Sequence, residues 1–182
     1  KIKSQFYDVS EFKFEVMGGE WGLISNTIHF LDIISYFKGS TDISSIKFKG
    51  LIHPNDSISK RKGIYESSGI IEGLCGNSSF KLISKPNSDK EHVINIENEK
   101  INISINELQK KARFINREHS YEEDFIFPNL SEVAVEIIEG ILLQGNCGLP
   151  DLKTSSIIHK SYIKGLNAYY KMNFNESFCP LI

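Results

Sequence analysis

Between residues 43 and 106 the chain carries five short, isoleucine-rich segments in which apolar and polar residues alternate: 43–52 (ISSIKFKGLI), 63–74 (GIYESSGIIEGL), 78–84 (SSFKLIS), 91–97 (EHVINIE) and 100–106 (KINISIN). Turn-forming clusters, HPNDS, CGN and KPNSD, separate them. Consecutive strands with connections this short imply an antiparallel meander, because a parallel pair needs a long crossover. The period-two alternation, clearest in INISIN, packs one face of the sheet and leaves the other polar or reserved for a partner.

Helical patterns flank this block. FKFEVMGG, from Phe12, reads as a strand ending in a glycine turn, and residues Leu23 to Phe37 form a helix with Gly39 as its stop signal. A weak strand region runs from Ala112 to Phe127. A helix from Leu130 to Leu143 follows, stopped by Gly145, and a closing helix starts at Pro150 with Asp151 as N-cap and runs to Lys171. The chain of 182 residues, 40% hydrophobic and 24% charged, accommodates one domain with a sizeable core. The expected architecture over 1–182 is a single α+β domain: a mostly antiparallel open sheet with helices packed on one face, the two closing helices among them.

The same composition excludes several function classes. A formal charge of −2 and a pI near 6.2 give no electrostatic footprint for nucleic acid or an anionic membrane, and the longest basic run is Lys60-Arg61-Lys62. No apolar run reaches the length of a membrane span. Cys75, Cys147 and Cys179 are too widely spaced for a disulfide framework or a zinc site, which points to a reducing cytoplasm and no metal. Neither Gly-x-Gly-x-x-Gly between a strand and a helix nor a P-loop is present, so no cofactor is expected in this chain alone.

The chemistry concentrates on the first helix. At 100° per residue Ser25, His29, Asp32 and Tyr36 fall within an arc of about 60°, while the rest of the circumference is almost entirely apolar. Such a helix should be buried on several sides, with its polar stripe facing a cavity or a polar partner, and Asn26 beside the same opening. Two readings of the stripe stand side by side. His29 is hydrogen-bonded to Asp32 as a satisfied core pair, or it is a general acid/base whose tautomer a carboxylate orients. Trp21 either stacks on a ligand or plugs the core. His53, His92 and His119 lack partners at useful spacing and read as surface residues.

GGEWGLISNTIHFLDIISYFKG resembles the opening helix of the C-terminal domain of the Gfo/Idh/MocA oxidoreductases, whose pattern is a glycine-rich lead, Asp-x-Gly-x-His-x-x-Asp and a glycine. Gly18-Gly19, His29, Asp32 and Gly39 match. LPDLKTSSIIHKSYIKGL resembles the family's closing Leu-Pro, Ser and His helix through Leu149, Pro150, Ser155 and His159. The resemblance therefore spans the chain. It implies a substrate-binding and oligomerisation domain from a two-domain enzyme, with NAD(P) bound by a Rossmann domain that this chain lacks. Lys1 in place of an initiator methionine fits that expectation of a C-terminal half.

The resemblance also implies roles for particular residues. His29 matches the catalytic histidine, acting on a sugar hydroxyl or carbonyl. Ser25 stands where the family has aspartate, and Thr27 where it has glycine, so His29 loses its usual carboxylate partner. Asn26, Trp21 and Ser25 are the expected substrate contacts; Asp32, Tyr36 and His159 are expected to orient or support. The EWGLISNTIHFLD variant resembles a subgroup of bacterial surface-polysaccharide sugar pathways. The expected partners are a sugar or sugar-nucleotide substrate and a homodimer or tetramer through the open sheet face. The rival expectation is a non-catalytic dimerisation or interaction domain with a buried His-Asp network.

Overall fold

The computed structural model describes residues 11–51, 66–126 and 128–175. In chain order its elements are β1 (Lys13–Gly18), α1 (Leu23–Lys38), β2 (Ile43–Lys49), β3 (Gly69–Cys75), β4 (Ser78–Ser84), β5 (Val93–Glu97), β6 (Ile101–Asn106), β7 (Lys111–Asn116), β8 (Ser120–Asp124), α2 (Leu130–Gln144) and α3 (Leu152–Phe174). The eight strands form one open sheet in the order β2-β3-β4-β1-β5-β6-β7-β8. This is the α+β architecture expected from the alternation.

Every neighbouring pair is antiparallel except β1 and β4, which run parallel with Phe14 beside Phe80 and Val16 beside Leu82. The meander is therefore split: β1, first in sequence, lies between β4 and β5 at the centre of the sheet. Its central place suits its composition, since Phe14 and Val16 are both fully buried. The weak strand region is a hairpin, β7 and β8, whose turn is built by Asn116: its side-chain oxygen accepts from the amides of Glu118 (3.0 Å) and His119 (2.7 Å). Lys60-Arg61-Lys62, His53 and the start of the 63–74 segment lie outside the described residues.

One face of the sheet carries the core. Ile71, Leu82, Ile96, Ile103 and Phe114 point to it, and α1 adds Leu23, Ile24, Leu31 and Ile34. α3 buries Ile158, Tyr162, Leu166 and Tyr170, a strict four-residue spacing that makes one narrow apolar stripe. The buried Tyr162 hydroxyl donates to the Ile24 carbonyl at 2.8 Å and ties α3 to α1. Phe48 of β2 packs on the rings of Tyr162 and Tyr169.

The two closing helices do not act as a pair. α3 covers the sheet together with α1, whereas α2 leaves Val135, Ile138, Ile141, Leu142 and Leu143 exposed. Its ends are nevertheless well made: the Asn129 amide donates to the Glu132 carboxylate at 3.0 Å, and Gly145 closes it in the left-handed conformation.

Candidate functional site

The site begins where β1 gives way to α1. The Gly19 amide donates to the Lys90 carbonyl (2.9 Å) and Glu20 to the Ser88 carbonyl (3.1 Å), so the segment before β5 lies directly on the turn. A Cβ on Gly19 would sit 1.9 Å from the Ser88 oxygen, which leaves room for glycine alone. Trp21 is fixed beside it: its amide donates to the Ser84 hydroxyl (3.2 Å) and its indole N–H to the Ile83 carbonyl (2.9 Å). Its ring meets Phe30 edge-on at 5.5 Å between centroids and His92 at 5.2 Å. Trp21 thus braces the start of α1 through packing.

His92 differs from its expected surface position. The fold-back of residues 88–92 over the glycine turn places its half-buried ring between Trp21 and Phe30, with Nδ1 3.2 Å from the Glu107 carboxylate. His119 is exposed, as expected of a turn residue.

The N-terminus of α1 is closed by a residue distant in sequence. Gly22, at the N-cap, offers no side chain, and the Ser25 amide instead donates to a Glu66 carboxylate oxygen at 3.4 Å. A carboxylate there complements the positive end of the helix dipole. The Asn26 side-chain amide donates to the Gly22 carbonyl (2.9 Å), and the Ser25 hydroxyl lies 3.4 Å from the same oxygen. Ser25, Asn26 and Glu66 all crowd Gly22, where a Cβ would come within 2.8 Å of each.

This geometry tests whether the glycine turn fits a dinucleotide. A pyrophosphate would need open backbone amides at the helix start. Here the turn is packed by residues 88–90 and a carboxylate already stands at the helix end, so the turn does not fit that group. Among the described residues no three His, Cys, Asp or Glu side chains gather in a metal-like cluster. Burial pushes the Cys75 thiol up to about 11, away from any nucleophilic role at neutral pH.

The polar stripe lies open. Ser25, Asn26, His29 and Tyr36 are exposed and Asp32 is half-buried, while the buried residues Leu23, Ile24, Thr27, Phe30, Leu31, Ile34 and Ser35 occupy one side only. The expectation of burial on several sides fails because Ile33, part of the apolar circumference, is itself 37% exposed. His29 makes no hydrogen bond or ion pair to Asp32. Asp32 turns instead toward α3, its Oδ2 3.6 Å from Nε2 of His159. That separation is beyond a good hydrogen bond and within ion-pair range when the imidazole is protonated. The Asp32 Oδ1 and His159 Nε2 atoms are buried without hydrogen-bond partners among the described residues.

The arrangement is thus an accessible imidazole, flanked one turn away by an amide and a hydroxyl, over a carboxylate–imidazole contact that joins two helices. His29 can take or give a proton to a ligand on this face, and Asn26 and Ser25 can hydrogen-bond its hydroxyls. Glu66 and the Tyr162 tie were absent from the sequence reading, which placed His92 at the surface. Only their chain neighbours give a local signal, and the contacts span 41 to 138 residues.

No protein-family model matches this sequence, and no curated protein matches it. Solved structures do share its fold. A UDP-N-acetylglucosamine 3-dehydrogenase, GnnA, from Acidithiobacillus ferrooxidans aligns with a TM-score of 0.63 at 10% identity over 85% of this chain and 51% of its own. A 3-ketoreductase from Actinomadura kijaniata, KijD10, solved with TDP-benzene and NADP, gives 0.57 at 10% identity over 89% of this chain and 54% of its own. A super-repressor mutant of Gal80p from Saccharomyces cerevisiae gives 0.60 at 16% identity, over 96% and 58%. These neighbours are of the Gfo/Idh/MocA type, and the chain has the fold of that family's C-terminal domain. It spans about half the length of each of them.

Proposed function

We propose that this chain is the substrate-binding and oligomerisation domain of an NAD(P)-dependent sugar or sugar-nucleotide oxidoreductase, with the dinucleotide held by a second, Rossmann-type domain. The observation that carries the reading is the accessible His29 on the open face of α1, set on a fold shared with a UDP-N-acetylglucosamine dehydrogenase and a 3-ketoreductase. The cofactor supplies the redox chemistry when bound in that other domain. This chain supplies proton transfer at the His29 imidazole and positioning by Asn26 and Ser25. Asp32 and His159 brace the helix that carries them, and Trp21 fixes its start. Bacterial surface-polysaccharide sugars are the substrate pathway, the cytoplasm the compartment, and a homodimer through the open sheet face the assembly.

Titration of the chain with UDP-N-acetylglucosamine, followed by amide and imidazole NMR shifts, tests the substrate part. Shifts centred on Ser25, Asn26 and His29 support it; shifts confined to other surfaces contradict it. A second reading, a non-catalytic interaction domain, is favoured by two specific observations: Ser25 stands where the family resemblance implies a carboxylate, and Asp32 faces His159, with no orienting partner for His29 among the described residues. That reading predicts no ligand shifts on α1 and no effect of His29→Ala on any redox turnover.

A further inference from the structure

Within α1 no carboxylate precedes His29, and the fold brings one from elsewhere. Gly22, Ser25, Asn26 and His29 follow the i, i+3, i+4, i+7 spacing of a single helix face. Over the first three stands Glu66, 41 positions along the chain from Ser25: one carboxylate oxygen accepts from the Ser25 amide at 3.4 Å, and the other lies 2.8 Å from where a Cβ on Gly22 would be. Asn26 Nδ2 and Ser25 Oγ close on that same point, each at 2.8 Å. A carboxylate, an amide and a hydroxyl therefore converge on the approach to the accessible imidazole.

Glu66 is held there by the sheet. Ser67 and Ser68, next in the chain, are both buried at the entry to β3. The Ser68 hydroxyl lies 3.5 Å from that of Ser84, whose oxygen is also 3.1 Å from the Trp21 carbonyl. One serine of β4 thus anchors both the segment that carries Glu66 and the turn that starts α1.

We infer that Glu66 is a specificity-determining residue of the His29 face, its carboxylate accepting a hydrogen bond from the sugar hydroxyl next to the one that His29 serves. The inference rests on the proposed sugar-binding role and names what reads the second hydroxyl. The spacing suits a vicinal pair. Glu66 stands one to two helical turns before His29, about 5–10 Å along the axis, and two neighbouring hydroxyls, each hydrogen-bonded at about 2.8 Å, reach across that interval. Capping alone accounts for only part of the arrangement: the contact with the Ser25 amide is long for a cap, and a carboxylate accepts at about four lone-pair positions, so Glu66 can serve the helix end and a ligand hydroxyl together. Its charge also sets what this end of the face rejects. A phosphate drawn to the positive end of α1 meets a carboxylate already in place, so the sugar ring and not the diphosphate lies here.

The test is calorimetric binding of UDP-N-acetylglucosamine and of its 3-deoxy and 4-deoxy analogues to the gene product that contains this chain. Each analogue is compared with the parent sugar in the same protein, so a partly unfolded variant shifts both affinities alike and leaves their ratio unchanged. The wild type is expected to bind the analogue that lacks the hydroxyl held by Glu66 about tenfold or more weakly. Glu66→Ala should reduce that penalty to within about twofold and leave the penalty of the other analogue in place. Glu66→Gln, which keeps the shape and an acceptor oxygen without the charge, should show a penalty of about threefold, and it gives the same comparison if the alanine variant does not fold. Equal penalties in the wild type and the variants overturn the role of Glu66 and leave it a helix cap. A wild type that binds no sugar nucleotide overturns the sugar-binding reading, and the inference with it.

Discussion

His29 owes its accessibility to residues that hold α1 against the sheet, and each of these can be removed singly. Tyr162 donates to the Ile24 carbonyl in a fully buried setting, so Tyr162→Phe should cost about 1 kcal/mol in urea unfolding. Its far-UV spectrum should stay unchanged. Cys75 offers a pH signature. Burial lifts its thiol from 9.0 to about 11, so the folded chain keeps this proton after the unfolded chain has lost it. The stability this gives is complete below pH 9 and falls away as the pH rises toward 11. Cys75→Ala should flatten that part of the stability profile, and the native thiol should resist alkylation at pH 8. The polar stripe was legible at this scale because helical spacing alone places Ser25, His29, Asp32 and Tyr36 on one face. The partner of Asp32 was not, because His159 reaches it from another helix, 127 positions along the chain.

Helix and strand positions followed from local pattern: α1 ends at Gly39 in the left-handed conformation that its glycine signals, and β4 coincides with residues 78–84. Pairing did not follow, since alternation marks a strand but not its neighbour, and the parallel contact of β1 with β4 leaves no local trace. The hairpin in 112–127 was readable only as weak strand, because β8 is largely exposed and shows no clean alternation. Two element-scale outcomes are expected. Gly19→Ala forces its Cβ onto the Ser88 oxygen and should destabilise the chain by about 2–4 kcal/mol, separating the glycine turn from the 88–90 segment. The exposed α2 residue Leu142, 76% accessible, can become lysine with a change of no more than about 0.5 kcal/mol in thermal unfolding. A large loss there would show that α2 is packed in solution.

At the scale of the molecule the helical face presents His29. The glycine turn between β1 and α1 is packed by residues 88–90 and offers no open amides to a pyrophosphate. The most direct measurement takes the gene product that contains this chain and follows NAD(P)⁺ reduction with UDP-N-acetylglucosamine, wild type against His29→Ala. The account predicts turnover by the wild type, with kcat lowered by about 10²–10⁴-fold in the variant and KM nearly unchanged. Equal turnover by both proteins would contradict the role of His29, and no turnover of sugar nucleotides by the wild type would contradict the oxidoreductase reading itself.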